Sequence, residues 1–533
     1  MPTLALANLH AADWAVLGAY ALIIVGSGLW LGRRKISGGE DYFLGGRHVP
    51  AWAVGCSILA TSLSAATFIG VPQSSYGGDL TYLSTNIGMI LGIVVLAVWF
   101  IPAFYRHRVQ TIYGLLEVRF GPGSRRAASG AFMVGRVMAS GARIYLAAIP
   151  ASWILFDDIQ NAHLMLAIMM LALVAVIYTL AGGIASVIWA DVIQTGVFLV
   201  AVTGAIIVLL MKIDAPFGDI VGALRAGGDD GHSKLTVLSL STDFSSKTPY
   251  TLWTAVIAFT VMSIGSYGVD HDLAQRMLTC KSARAGGKAA IGAIIAAIPT
   301  VGLFLVVGLL LWVFYANPGG IARTGDLGYE IDDTRKIFLN FILHEMPPGL
   351  TGLMLAGLFA AGLSSLNSAL NAMSSTLVSD FLKPLGFIRS AEHEVTVGRM
   401  GVCVWGVVLG AFACVCVVWQ QVSDLPLLDF ALSVMIFAYA GLVAVFLAAI
   451  FTKRGNTFTV ISALIIGFEV IWLLRPIGWA GWTELTPWRW ELSRVSLAWP
   501  WHLPIGVGIA FGVVMFGRRP GGTDRSTGDS SVG

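Results

Sequence analysis

The chain has 533 residues, 56% of them hydrophobic and only 12% charged, a balance that belongs to a polytopic membrane protein and excludes a soluble one. A formal net charge of +3 leaves no nucleic-acid footprint, so the basic residues act through their positions rather than their sum. Five cysteines, Cys56, Cys280, Cys403, Cys414 and Cys416, lie in or beside apolar stretches with neither disulfide nor zinc spacing, and read as buried free thiols.

The N-terminal MPTLALANLHAADW lacks a basic start before its apolar run and reads as the beginning of an uncleaved first span rather than a secretory signal. Apolar windows of about 20 residues predict spans near 14–32, 50–71, 79–105, 128–156, 163–182, 186–212, 251–275, 287–315, 348–378, 396–419, 428–451, 456–475 and 499–517. That is an all-α polytopic chain with about thirteen transmembrane helices by the same rule. Basic residues gather after alternate spans: Arg33, Arg34, Lys35 and Arg47; Arg106, Arg108, Arg119, Arg125 and Arg126; Arg276, Lys281, Arg284 and Lys288; Lys383 and Arg389; Lys453 and Arg454; Arg518 and Arg519. The intervening connections 72–78, 157–162 and 421–427 are poor in them. A multi-pass protein of the plasma (inner) membrane is therefore expected, N-terminus outside and C-terminus cytoplasmic.

The long external connections 213–250 and 316–347 read as solvated loops, Asp229, Asp230 and His232 included, because no further metal ligands are spaced around them. Trp479, Trp482, Trp488 and Trp490 suit an aromatic belt, and 518–533 a disordered cytoplasmic tail.

Four stretches place polar groups inside spans. Ala60 to Phe68, ATSLSAATF, suits an unwound helix with free carbonyls at Ala60 and Leu63, or a helix whose Ser and Thr bond their own backbone. Asp191 stands a few residues inside its span, as a functional carboxylate or as a helix cap near the surface. Arg143 falls about 20 Å along its helix at 1.5 Å per residue, near mid-depth. There it either pairs with Asp270 or Asp272 or receives an anionic group of a solute. Arg276 is expected to snorkel at the inner end, and His271 to be a hydrogen-bonded structural histidine. The fourth stretch is Leu355 to Asp380, where Ser364 and Ser368 share a face flanked by Ser365 and Asn367. Small residues and hydroxyls in that pattern make a packing seam or an ion site. Enzyme and nucleotide-binding motifs are absent, so uphill transport must draw on an ion gradient.

Several of these stretches resemble the sodium:solute symporter family: DYFLGGRHVPAWAVG (Asp41 to Gly55), ATSLSAATFIGVP (Ala60 to Pro72), YTLAGGIASVIWADVIQ (Tyr178 to Gln194), DHDLAQRML (Asp270 to Leu278) and GLMLAGLFAAGLSSLNSALN (Gly352 to Asn371). The resemblance implies a LeuT-like bundle of two inverted five-helix repeats, 34–212 and 251–452, preceded by an extra helix at 1–33 and followed by helices at 456–517. It implies a first sodium on Ala60, Leu63, Ala361, Ser364 and Ser365, and a possible second one on Asp191, Ser364 and Ser368 with Asn367, which stands where sialic acid transporters have Ser. It implies solute contacts at Ser64, Thr67, Tyr82 and Asn86; Arg143 is added on depth, because the family's carboxylate-binding arginine falls squarely on neither Arg136 nor Arg143. His271 replaces a Gln common among relatives.

The sequence thus points to a non-enzymatic, monomeric importer in the lipid bilayer that couples a small solute to sodium by alternating access and needs no other cofactor. An organic anion, sialic acid or a monocarboxylate, is the first expectation. A sugar or polyol is the alternative, and a transporter-like sensor the alternative of another class.

Overall fold

The computed structural model describes residues 9–32, 38–180, 183–227, 231–323, 333–423, 426–474 and 497–517. Arg33, Arg34, Lys35, Asp229, Asp230, Trp479, Trp482, Trp488, Trp490 and the tail from 518 lie outside the described residues.

In chain order the helices are α1 (Ala11–Gly32), α2 (Gly39–Leu44), α3 (Ala51–Ser62), α4 (Ala66–Gly77), α5 (Thr81–Arg106), α6 (Gly114–Phe120), α7 (Pro122–Phe156), α8 (Asn161–Thr179), α9 (Gly183–Lys212) and α10 (Phe217–Ala226). They continue as α11 (Thr254–Val269), α12 (His271–Leu278), α13 (Ala283–Ala316), α14 (Ile337–His344), α15 (Leu350–Leu382), α16 (Ala391–Ser423), α17 (Leu427–Phe451), α18 (Thr457–Leu474) and α19 (His502–Met515). Among the described residues eight helices are long and apolar enough to cross a membrane, and the bent pair α3–α4 makes a ninth span. Shorter apolar helices cover Ala11–Ile24, Asn161–Ile177, Thr254–Val269 and Trp499–Met515.

Two breaks organise the bundle. Between α3 and α4 the axis turns by 60°, because the local hydroxyls offer the backbone other partners. Ser62 Oγ bonds the Ile58 carbonyl at 2.7 Å, and Ser64 Oγ accepts from the Ala66 N–H at 3.3 Å. Between α11 and α12, Asp270 is extended (φ −88°, ψ 114°) and its carboxylate caps α12 by accepting the Asp272 N–H. The sequence reading anticipated the first break and not the second. Helices α9, α13 and α15 pack around α3, while α17 lies between α7 and the pair α18 and α19.

The all-helical expectation needs one correction. Ile213–Asp214 and Ala322–Arg323 pair as a two-residue antiparallel ladder, and Ser245 bridges to Leu497. The chain leaves α9 and α13 side by side at the same end, where main-chain groups off the helical ladder take one another as partners. The loop after α10 is also more than solvated chain: Lys234 is buried, donates to the Tyr76 and Gly78 carbonyls at 2.9 Å, and lies 4.7 Å from the Trp312 ring.

Close helix crossings rest on glycine. A Cβ at Gly88 of α5 would stand 2.0 Å from the Ala255 carbonyl oxygen of α11, which is main chain and cannot rotate away. Gly88→Ala is expected to destabilise the fold by about 1–3 kcal/mol, read as a lower thermal midpoint in detergent. Gly302→Ala, whose methyl meets nothing within 4 Å, should leave that midpoint unchanged or higher.

Candidate ion and solute site

At the end of α3 the last ladder bond runs from the Leu63 N–H to the Leu59 carbonyl. The Ser64 N–H, which an unbroken helix would give to Ala60, turns instead to Thr67 Oγ1 at 3.4 Å. The Ala60 carbonyl is thereby released. Against this end sits a cavity of about 10 Å³, room for about one water-sized particle. Ala60 and Leu63 line it from the broken helix, Ala361 and Ser364 from α15, and Gln194 and Thr195 from α9. Four of the five residues expected around a first sodium therefore meet in one cleft. The fifth, Ser365, stands beside it with its hydroxyl on the Thr61 carbonyl at 3.2 Å.

Next to the cleft lies a buried ion-pair network. Asp191 is buried two turns into α9, too deep to cap it, and accepts from Ser57 Oγ at 2.5 Å and Ser364 Oγ at 2.6 Å. Arg276 does not snorkel. Its guanidinium is fully buried, 3.2 Å from Asp191 and 3.0 Å from Asp272, and it also donates to Ser57 Oγ at 2.8 Å and to Ser368 Oγ. The reason is helical spacing: Arg276 follows Asp272 by one turn, so the same face of α12 that carries the acid carries the base inward. Ser368 also bonds the Ser364 carbonyl at 2.7 Å. Asn367 looks elsewhere, accepting from Thr179 Oγ1 of α8 at 3.1 Å.

The choice left open for the arginines of α7 is divided between them. Arg136 is buried and bidentate, 2.6 Å from Asp270 and 2.5 Å from Asp272, with Tyr439 donating to Asp270 at 2.6 Å. Arg143 pairs with no carboxylate among the described residues. Its nearest polar partner is Met435 Sδ at 3.2 Å. It opens onto a second cavity of about 110 Å³ on the other side of the break, which Ser64, Thr67, Tyr82 and Asn86 also line. All five expected solute residues thus share one chamber. Asn86 Nδ2 is spent on the Leu83 carbonyl at 2.9 Å, which leaves its amide oxygen. Leu63 lines both cavities.

His271 was expected to be hydrogen-bonded and is not: it is buried between Tyr113 and Phe132 with neither ring nitrogen partnered. The sequence reading also passed over Ser57, Gln194 and Tyr439, and Tyr267, which lines the chamber with its hydroxyl 2.9 Å from Ser62 Oγ. For Gln194 a signal existed, since it follows Asp191 by three residues and shares its helix face.

The pattern of the sodium:solute symporter family matches residues 42–467. The chain belongs to that family. The symporter is 30% identical over 476 residues to the sodium/sialic acid symporter SiaT of Proteus mirabilis, covering 87% of this chain and 89% of that protein. Its structure is similar to that of a Na+-coupled sialic acid symporter in a substrate-bound outward-open state, with a TM-score of 0.78, 25% identity and coverage of 95% of this chain and 97% of that one. It also shares its fold, at a TM-score of 0.51 and 14% identity over 91% of this chain and 94% of that one, with Mhp1, a nucleobase-cation-symport-1 transporter in a closed conformation. The protein is accordingly a multi-pass membrane transporter and not an enzyme, and sodium is its coupling ion.

Removing one partner from a buried charge network leaves the others uncompensated. Arg136→Met in the symporter is expected to cost about 3–5 kcal/mol, seen as a large drop in thermal midpoint. Tyr439→Phe, which removes one hydrogen bond to a carboxylate, should cost about 1.5–3 kcal/mol. Equal midpoints for wild type and Arg136→Met would contradict this account.

Proposed function

We propose that the symporter imports an organic anion with one sodium ion by alternating access, the sodium held in the cleft at Ala60, Leu63, Ala361 and Ser364 with Ser365, and the anion facing Arg143. The observation that carries the reading is the guanidinium of Arg143, paired with no carboxylate among the described residues, in a chamber that meets the ion cleft at Leu63 of the broken helix. Around the two sites three carboxylates, Asp191, Asp270 and Asp272, balance three guanidiniums, Arg136, Arg143 and Arg276. A sodium ion adds a positive charge where dielectric screening is weak, and an anion beside Arg143 offsets it. Each ligand then favours the other, which is what coupling requires. The sialic acid transport of the relatives supports a carboxylated solute.

The residues expected around a second sodium favour one ion. Arg276 already engages Asp191 and Ser368, and Asn367 faces Thr179. A tethered cation takes the place a free one would occupy.

The proposed topology counts the bent pair as one span and adds the four shorter apolar helices, giving thirteen spans in a monomer of the plasma (inner) membrane, N-terminus outside and C-terminus cytoplasmic. Repeats at 34–212 and 251–452 are supported by the breaks in their opening helices, at Leu63 and at Asp270.

Uptake into proteoliposomes tests the reading. It should vanish when choline replaces sodium and follow sodium with a Hill coefficient of about one. Ser364→Ala should raise the sodium concentration for half-activation while leaving solute affinity at saturating sodium nearly unchanged. Arg143→Gln should weaken a carboxylated solute about tenfold, as expected for loss of a charge-assisted bond. One sodium with one monoanion moves no net charge, so the membrane potential should not drive uptake. A neutral sugar would move one charge and gain about 2.3 kcal/mol per 100 mV. Undiminished transport in choline would overturn the proposal.

A further inference from the structure

A groove of about 300 Å³ runs between α3 and α13 and shares no lining residue with the ion cleft or the solute chamber. The two helices start close together, where the Val49 N–H donates to the Thr279 carbonyl at 3.2 Å, and they cross where a Cβ at Gly55 would stand 3.2 Å from the Ala289 carbonyl oxygen. Beyond that crossing the lining is Leu59 with the small residues Cys56, Gly292, Ala293 and Ala296, which leave the groove open. A Cβ at Gly292 meets nothing within 4 Å. The groove looks outward, since Trp52 at its start and Ile295 beside it are each 59% exposed. Both helices belong to spans long and apolar enough to cross a membrane, so what they face there is lipid. One end is basic. Lys288 lines the groove, Arg284 precedes it by one turn on the same helix face, and Lys281 stands just before the helix. None of the three pairs with an acid among the described residues, whereas Lys212, Arg335 and Lys383 each hold one.

We infer that this groove binds one anionic phospholipid, its phosphate at Lys288 and Arg284 and one acyl chain along Gly292 and Ala296. Size and charge each select that occupant. From Lys288 to Ala296 the groove runs about 12 Å at 1.5 Å per residue, so its volume corresponds to a mean cross-section of about 25 Å². That is close to a single hydrocarbon chain and far below the roughly 80 Å² of a helix with its side chains, so a second membrane helix does not fit. A soluble anion leaves the apolar slot empty, and a lipid without net charge leaves the bases unmatched; an anionic phospholipid satisfies both. The seat is also placed to matter. Leu59, which lines the groove, accepts the last ladder bond of α3, from the Leu63 N–H, at the break that carries the Ala60 and Leu63 carbonyls. A lipid chain there supports the broken helix from behind.

Lipid binding to the purified full-length protein in detergent tests this, with phosphatidylglycerol and phosphatidylcholine of identical acyl chains as probes, read by native mass spectrometry and by thermal midpoint. Phosphatidylglycerol should be retained as one molecule and raise the midpoint at a concentration at least about fivefold below that of phosphatidylcholine. Lys288→Gln should reduce that preference about fivefold, and Lys288→Arg should keep it. Gly292→Phe puts a ring into the open groove and should abolish retention. Gly302→Ala, at an equally open position of α13 outside the groove, should retain the lipid as the wild type does. Equal binding of the two lipids by the wild type, or wild-type retention by Gly292→Phe, overturns the inference. Should Gly292→Phe not fold, the double variant Lys288→Gln with Arg284→Gln decides, because both side chains are exposed: an undiminished preference for phosphatidylglycerol there overturns the inference, and its loss supports it.

Discussion

Two guanidiniums buried among three carboxylates hold the centre of this protein together. Arg136 from α7 and Arg276 from α12 both meet Asp272, and the chain of contacts runs on to Asp270 and Tyr439 at one end and to Asp191, Ser57 and Ser368 at the other. Five helices, α3, α7, α9, α15 and α17, are thereby tied through one short segment, α12. Burial makes each charge costly unless all are present, so the network acts as a unit. It also sets where α12 sits, hence where α11 breaks, and through Arg136 and Tyr439 it reaches the lining of the chamber that Arg143 faces.

The second constraint is the break at Leu63. One residue lines both cavities, so a ligand on either side acts on the same few backbone torsions. An ion that draws in the Ala60 and Leu63 carbonyls also fixes Ser64 and Thr67, whose side chains bond across the break. Cooperation between ion and solute then needs no distant pathway. The two cavities meet at Leu63, and for ligands bound in both, linkage would make the effect reciprocal.

Two further polar ties lie outside the central network. At the C-terminal end of α15, Asp380 is buried and accepts from Thr111, Ser129 and Arg125, with Arg125 also paired to Glu117. In the other, the Tyr82 ring packs edge-on against Tyr250, whose hydroxyl donates to Asp429 of α17. Each is a local tie between a few residues, unlike the central network.

The family's motifs, the membrane spans and the break at Ala60 to Phe68 were legible in the chain because each is a local property. Hydropathy is summed over consecutive residues, and a run of hydroxyls beside Gly70 and Pro72 weakens a helix wherever it is placed. The same holds for the gathering of Ser364, Ser365 and Ser368 on one face, which follows from helical period alone. Which arginine pairs and which stays free could not be read that way. Arg136 and Arg143 lie two turns apart on one helix and both line the chamber, and only the position of α12 across the bundle gives the carboxylates to the first and leaves the second without one. Arg276 was misplaced for the same reason: its depth depends on the break at Asp270, which is held by contacts from other helices. The sequence by itself therefore determined the spans, the family and the residues with oxygens to offer. Tertiary structure decided which of those oxygens and charges are already spent on each other, because pairing across a bundle depends on distances between helices that no local pattern encodes.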